Sequence, residues 1–214
     1  MHEQLSLLPT HPGSWTQYKY ERLLQLELKD VEPLQLAALQ FRFAQMKDSV
    51  AALERLAKKQ EVTRIDSVGD ALPLFFDHRV YKSYPLSLIE TRDFPKLTAW
   101  LNRLTLHDLH KMDLSGLTSL DGWLDRLESY GMMVGHSTGT TGKLSFIPRS
   151  LVEWPAWKSG YTEVTRASTG VDPTKDFLPT FVAAYRGGHQ MGLKMMSLFN
   201  IPASGGPEAF PESA

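Results

Sequence analysis

The sequence of 214 residues contains no cysteine. This absence excludes a disulfide scaffold, a thiolate metal site and a cysteine nucleophile. An excess of basic residues is also missing, because 23 Lys and Arg face 24 Asp and Glu and leave a formal net charge of −1. A general nucleic-acid binder usually carries a basic surplus, so we expect no nucleic-acid partner.

Long apolar runs are absent as well. The longest uncharged, apolar-leaning stretch spans residues 177–185, far fewer than the roughly 18 residues of a membrane helix. Residues 1–15 lack the basic start of a secretory signal. Hydrophobic residues make up 42% of the chain, as in ordinary globular proteins. We therefore expect a soluble, cytoplasmic protein with no membrane partner.

Helical periodicity dominates the N-terminal part of the chain. Residues 17–59 read as helix, with Pro33 expected either to break it or to restart it at a first turn. Beyond Pro33, apolar residues recur at steps of three and four, as on one face of an amphipathic helix: Leu36, Leu39, Phe43, Met46, Val50, Leu53 and Leu56. We favour packing of this face on the protein's own core over binding of a partner.

Two shorter helices are predicted downstream, over residues 94–104 and over Ser119–Tyr130. The second carries three large apolar residues on one side and a glycine just past its end: Trp123, Leu124, Leu127 and Gly131.

Beyond the second of these helices, the sequence predicts alternating strands and helices. Two short strands are predicted over Met132–His136 and Leu144–Ile147, the second ended by Pro148. The capping-box spacing of Ser150 and Glu153 predicts that a helix starts there. The remaining predicted elements are a strand at 177–185, a glycine turn at 187–188, a helix at 191–199 and coil at 202–214. We expect an α/β protein, with a mainly helical part over residues 1–130 and an α/β segment over residues 131–214.

The strongest chemical signal is a run of small, hydroxylated residues between the two predicted strands: Ser137, Thr138, Gly139, Thr140, Thr141, Gly142 and Lys143. The two glycines permit backbone conformations that are closed to other residues, so that successive N–H groups can converge on an anion. The hydroxyls add donors and Lys143 adds a positive charge. This combination is typical of a polyphosphate cradle.

Three other interpretations compete at this loop. A Walker loop requires Gly where Ser137 stands and Ser or Thr where Leu144 stands, so both requirements fail. Residues 135–139 read Gly-His-Ser-Thr-Gly, which would make Ser137 a hydrolase nucleophile, but a nucleophile elbow turns into a helix rather than a strand. The third interpretation is a structural glycine-rich hairpin that binds no ligand.

The loop and its two flanking strands resemble the phosphate-binding loop of the adenylate-forming, AMP-binding superfamily. Acyl-CoA synthetases, phenylacetate-CoA ligases and the acyl-protein synthetases of bacterial luminescence belong to it. The order of Val80–Pro85, residues 97–104 and the helix that leads into the loop is most similar to the branch of phenylacetate-CoA ligases and acyl-protein synthetases.

The resemblance implies an ATP-dependent ligase. Residues 137–142 would hold the β- and γ-phosphates of ATP, with Mg²⁺ alongside. A carboxylic acid would attack the α-phosphate to give an acyl-adenylate and pyrophosphate, and a thiol, such as that of CoA or a protein cysteine, or an amine would then take the acyl group. The resemblance assigns no catalytic residue and no protein metal ligand in this chain.

The chain departs from the family pattern in two ways. Many relatives carry lysine where Ser145 stands, whereas Lys143 occupies a variable position. The adenine, ribose and C-terminal lysine motifs of the family do not follow Lys143. We therefore expect the N-terminal portion of such an enzyme, with an incomplete mixed α/β domain and little activity alone. The alternative is a non-catalytic helical interaction module.

Weaker candidates lie outside the loop. His107 and His110 stand one helical turn apart, a spacing that zinc can use, although surface histidines are the favoured interpretation. Tyr81, Lys82 and Tyr84 fit either ligand contact or a half-buried aromatic segment. Residues 186–189 fit a strand-to-helix turn better than a ligand cleft.

Overall fold

The computed structural model describes residues 10, 25–139, 142–151, 153–173, 175–176 and 188–196. Within these ranges the α-helices and strands follow in the order α1 Leu28–Met46, α2 Ala51–Lys59, α3 Val68–Ala71, α4 Ser87–Glu90, α5 Phe94–Leu101, α6 Leu120–Ser129, β1 Met132–His136, β2 Phe146–Ser150, α7 Trp154–Thr169 and α8 Met191–Met196. Short 3-10 turns cover Leu72–Leu74, Val80–Lys82, Asn102–Leu104 and Leu109–Lys111.

Helices α1 and α2 occupy most of the region predicted as helix, and the expectation for Pro33 is wrong. Pro33 lies inside α1 and neither ends nor starts it. Its ring removes one amide donor in the second turn, and the packing of the apolar face that follows keeps the helix continuous. The break falls between Met46 and Ala51 instead, where Val50 is buried.

The apolar face of α1 and α2 packs on this chain, as favoured from the sequence. A small cluster joins the two helices to the segment that follows them, and its buried members are Phe43, Ala57, Ile65 and Ala71. Leu36, Leu39 and Leu53 lie partly buried against it. These three residues and Phe43 are four of the seven residues that define the predicted face.

The main core gathers around α5 and α6. Residues 94–104 form α5 and the 3-10 turn that continues it, as predicted. Helix α6 matches its prediction closely, since Ser119 caps it by accepting from the Gly122 amide at 3.1 Å. Its apolar side is fully buried, and Gly131 follows it with a φ of 97°, a conformation that favours glycine. The core also includes Tyr84, Trp100, Trp123, Met132, Val134 and Phe146.

Strands β1 and β2 form an antiparallel pair, with Met132 opposite Ser150 and His136 opposite Phe146. The first four residues of β1 are buried, because the strand lies between the core and the neighbouring elements. The register places the two ends of the intervening loop side by side, at His136 and Phe146. The predicted strand–loop–strand order is confirmed.

Two boundary predictions after the loop are wrong. Strand β2 passes through Pro148, opposite Val134, and ends at Ser150. Proline is tolerated on an edge strand because its missing N–H then faces no neighbour, and no described strand lies beyond β2. The next helix has Glu153 at its N-cap, not Ser150, which belongs to the strand.

Helix α8 lies against β1. The His136 amide donates to the His189 carbonyl at 3.0 Å, and Gln190 forms a parallel bridge with His136. The predicted helix at 191–199 is therefore confirmed over residues 191–196. Outside the described residues lie four predicted pieces: residues 17–24 and 197–199 of predicted helices, the strand predicted at 177–185, and the coil predicted at 202–214. Arg186 and Gly187 also lie outside them.

The described chain is thus helix-rich with a small two-stranded antiparallel sheet, a mixed α/β protein in the coarse sense. The main core draws on residues before and after position 130. Over the described ranges, no helix has both the length and the apolar character needed to cross a membrane.

Candidate functional site

The candidate phosphate loop joins β1 to β2, and serines at its two ends hold it closed. The Ser137 amide donates to the Ser145 carbonyl at 3.2 Å. The Ser145 amide donates to Ser137 Oγ at 3.0 Å. The Ser137 hydroxyl thus accepts a bond that fixes the base of the loop and retains its own proton for donation. Ser145 itself is buried.

Both glycines of the loop have the left-handed backbone that the sequence analysis anticipated. The φ angles of Gly139 and Gly142 are 73° and 81°, and the Gly142 amide donates to the Gly139 carbonyl at 2.7 Å. These two residues therefore frame a tight turn. Thr140 and Thr141, which lie between them, fall outside the described residues.

Two features require glycine at position 139, its backbone conformation and the lack of space for a side chain, whereas only the backbone conformation requires it at Gly142. A Cβ on Gly139 would lie 2.9 Å from Leu144 Cδ2, so a side chain there meets both backbone strain and a clash. A Cβ on Gly142 would meet nothing within 4 Å, so only its backbone conformation requires glycine. The loop folds back closely on Leu144 at one of its two glycines.

The exposed side of the loop retains donors. Thr138 is exposed and precedes the turn. Counting only acceptors that belong to the described residues, the amides of Thr138 and Gly139 have no hydrogen-bond partner. Two consecutive N–H groups, the second of them on a left-handed glycine, are the kind of donor set that binds an anion.

Lys143 points into the body of the protein. Its Nζ donates to the Tyr84 carbonyl and lies 4.5 Å from the centroid of the Tyr84 ring, within the range of a cation–π interaction. A lysine ammonium carries three donors, so this anchoring leaves donor capacity on Nζ. The positive charge expected at the loop is present, held at its inner side.

Tyr84 forms the floor under the loop, a role that sequence reasoning missed. The residue is fully buried at 0% exposure, so Tyr84 belongs to the core, whereas Tyr81 is half-buried as one of the predicted alternatives had it. Its phenol donates to the Leu144 carbonyl at 2.9 Å. Burial raises the pKa of Tyr84 to about 12, so the phenol remains a donor at neutral pH. Its ring lies 5.0 Å from that of Trp100 and 5.3 Å from that of Phe146.

A second polar cluster joins α8 and the residue before it to α6. His189 is 7% exposed, and its Nε2 lies 2.8 Å from Asp125 Oδ1. Its Nδ1 lies 3.7 Å from Glu128 Oε2, and Lys194 Nζ lies 2.7 Å from the same oxygen. This cluster explains why His189 is buried, and its contacts are with α6 rather than with the loop.

The geometry around Ser137 gives no support to a hydrolase nucleophile. His136 Nδ1 lies 2.9 Å from the carbonyl of Ser137, and the His189 ring is engaged by Asp125. Within the described part of the chain, no imidazole contacts Ser137 Oγ. A strand follows the loop rather than the helix that a nucleophile elbow needs.

The two histidines considered for zinc do not gather a metal site. His110 Nε2 lies 3.0 Å from Asn102 Nδ2, as expected when the amide donates to the ring. Among the described residues, no group of three or more His, Asp or Glu side chains is arranged to hold a metal ion.

Comparisons with protein-family models, with curated proteins and with solved structures found no match. The resemblance to adenylate-forming enzymes therefore depends on the residues of this chain alone.

Proposed function

We propose that this chain supplies the polyphosphate-binding loop of an ATP-dependent ligase that activates a carboxylic acid as its acyl-adenylate. The proposal covers Ser137, Thr138, Gly139, Thr140, Thr141, Gly142 and Lys143 as the group that receives the β- and γ-phosphates. The acyl acceptor in this proposal is a thiol, of CoA or of a protein. A cytoplasmic location is also proposed, since the cysteine-free composition fits it.

The observation that carries the proposal is the backbone of the loop between β1 and β2. Gly139 and Gly142 both have a left-handed backbone, and the Thr138 and Gly139 amides are donors of the kind that binds phosphate oxygens. Two hydrogen bonds between Ser137 and Ser145, of 3.2 and 3.0 Å, fix the base of the loop before a ligand binds. Preorganised donors of this type stabilise charge without reorganising when the ligand binds.

The chemistry of the donor set fits the polyphosphate better than it fits the metal alone. Mg²⁺ prefers oxygen ligands, keeps several waters and commonly enters a site on the phosphates of a nucleotide. Since no cluster of three His, Asp or Glu side chains forms among the described residues, Mg²⁺ would enter with the polyphosphate. Its contribution would be to neutralise the phosphate charge.

In the reaction, the loop would bind the terminal phosphates of ATP and orient them. Hydroxyls and amides of residues 137–142 would hold the terminal phosphates, so that pyrophosphate becomes a stabilised leaving group when a carboxylate attacks the α-phosphate. Lys143, anchored by Tyr84, would contribute positive potential from the inner side of the loop.

Pyrophosphate is the sharpest probe because it corresponds to the part of ATP that the loop would hold. We expect magnesium pyrophosphate to bind the 214-residue chain with 1:1 stoichiometry in titration calorimetry, and MgATP to compete with it. Adenosine, which lacks phosphates, should not compete. Gly139→Val and Gly142→Val should each weaken binding at least about tenfold, since both glycines have positive φ.

Gly116 provides a matched control. It has the same φ of 73° as Gly139 and lies outside the loop, and a Cβ added to it would meet nothing within 4 Å. Gly116→Val therefore introduces comparable backbone strain and should leave pyrophosphate binding unchanged. Absence of binding by the folded wild-type chain would show that the loop is a structural hairpin. Equal loss in the Gly116→Val control would contradict a specific role of the loop glycines in binding.

A further inference from the structure

A cavity of about 320 Å³ lies where α2 meets the 3-10 turns at Val80–Lys82 and Asn102–Leu104. Its volume falls at the lower end of the range of about 300–1,000 Å³ typical of small-molecule sites. Residues from three separate parts of the chain line it: Ala52, Arg55, Val80, Ser83, Trp100, Arg103 and Leu104.

The charged residues that line this cavity, among those that the structure describes, are all of one sign. Arg55 and Arg103 contribute guanidinium groups, and no described Asp or Glu lines the cavity. Counting only described residues, neither arginine forms an ion pair. The carboxylate next in sequence, Glu54, is 2.7 Å from Lys58. Within the described part of the chain, the two guanidinium groups therefore line one cavity that has no carboxylate in its wall.

Arg55 is partly held in place and still has donors to spare. Its Nε donates to the Ala51 carbonyl at 3.1 Å, one turn earlier in α2. A guanidinium carries five N–H donors, so its two terminal nitrogens are left for a ligand. Their fork matches the oxygens of a carboxylate or a phosphate.

The rest of the wall is apolar or already bonded. Ala52, Val80 and Leu104 contribute methyl groups. The Ser83 hydroxyl donates to the Val80 carbonyl at 2.8 Å and accepts from Trp100 Nε1 at 2.9 Å. The hydroxyl therefore has no proton to offer a ligand. The cavity combines two cationic donors with a largely apolar surface, as in sites for amphipathic small molecules.

From this composition we propose that the cavity is a binding site for a small organic anion, in which a phosphate or carboxylate group meets Arg55 and Arg103 and a compact apolar body faces Val80 and Leu104. The ligand would bridge α2 to the turn that follows α5. Binding would therefore stabilise the attachment of the N-terminal helices to the main core. This proposal is independent of the function proposed for the loop.

Phenyl phosphate is a suitable probe because it joins a phosphate to a small apolar ring. We expect saturable 1:1 binding in titration calorimetry, together with a rise in the melting temperature. Arg55→Gln and Arg103→Gln should each lower the affinity at least about tenfold, because each removes a charged donor from the anion. Inorganic phosphate should bind more weakly than phenyl phosphate by a similar factor, because it cannot use the apolar wall.

Two control variants keep the result specific. Arg42→Gln removes a cation outside the cavity, where Arg42 contacts Gln45 at 3.5 Å, and should change the affinity less than about twofold. Gly139→Val should also leave it unchanged, since that residue belongs to the loop. No saturable binding by the folded chain would overturn the proposal, as would equal losses in Arg42→Gln and Arg55→Gln or equal affinity for inorganic phosphate.

Discussion

Lys143 and Tyr84, which are 59 positions apart in the sequence, are in direct contact. The lysine ammonium donates to the Tyr84 carbonyl and lies 4.5 Å from the centroid of the tyrosine ring. In return, the Tyr84 phenol donates to the carbonyl of Leu144, the residue after the lysine. The second half of the loop is thus attached to the main core through one buried aromatic residue. This attachment makes the loop's shape depend on core packing.

Tyr84→Phe should destabilise the protein more than Lys143→Met. The first substitution leaves the Leu144 carbonyl without its buried donor, a loss of about 1–2 kcal/mol in the free energy of unfolding. The second retains the apolar stem and removes a partly exposed charge, with an expected cost below about 1 kcal/mol. Urea unfolding of the two variants and the wild type measures the order. A larger effect for Lys143→Met would contradict the role assigned to the phenol.

The stability of the protein should fall in strongly alkaline solution because of Tyr84. Its pKa is raised by burial from 10.0 to about 12, so the unfolded chain loses this proton at lower pH than the folded one. The contribution is fully present below about pH 10 and is lost as pH rises toward 12. Unfolding free energies measured across this interval should decline less steeply in Tyr84→Phe. Identical pH profiles would mean that the phenol titrates at its ordinary pKa.

The buried hydrogen bond between Trp123 and Thr98 offers a matched pair of substitutions. Trp123 Nε1 donates to Thr98 Oγ1 at 2.9 Å, and both residues are buried. Thr98→Val keeps the shape but leaves the indole N–H unpaired, at a cost of about 1–3 kcal/mol. Thr98→Ser keeps the acceptor and loses one methyl group, worth about 0.8 kcal/mol. Thermal unfolding should place the valine variant lower, and the reverse order would show that packing outweighs the bond.

Gly135 and Met191 should behave as a coupled pair. A Cβ on Gly135 would overlap Met191 Cε, so Gly135→Ala requires the methionine side chain to move. We expect faster hydrogen exchange at the His136 amide, which donates to the His189 carbonyl at 3.0 Å. In a Met191→Ala background the same glycine substitution should have little further effect. Additive effects in this double-mutant cycle would contradict direct contact between the two residues.

The sequence predicted those elements whose signals are local. Helix α6 has a capping serine, a three-residue apolar stripe and a terminal glycine, all of which act within one or two turns. The strand–loop–strand order was likewise readable, because small residues separate two apolar runs. The prediction that Pro148 ends the second strand was wrong. Whether a strand accepts a proline depends on whether a neighbouring strand pairs with the side that would carry its N–H. That neighbour is a property of the sheet and not of the local sequence.

The parts of the site that escaped prediction depend on contacts between distant residues. Nothing in residues 80–85 shows that Tyr84 is fully buried or that it bonds to Leu144, 60 positions away. The cluster of His189 with Asp125 and Glu128 likewise joins α8 to α6 across about sixty positions. Composition and spacing were enough to identify the loop. The residues that anchor it, above all Tyr84, can be identified only from the three-dimensional structure.

Amide chemical shifts of the 214-residue chain, recorded while magnesium pyrophosphate is added, test the central claim most directly. The account predicts saturable shifts centred on Thr138, Gly139 and Gly142, because their backbone would meet the phosphate oxygens. Shifts at Arg55 and Arg103 without shifts in the loop would place the anion in the other cavity. That result, or a spectrum unchanged by pyrophosphate, would contradict a phosphate-binding role for the loop.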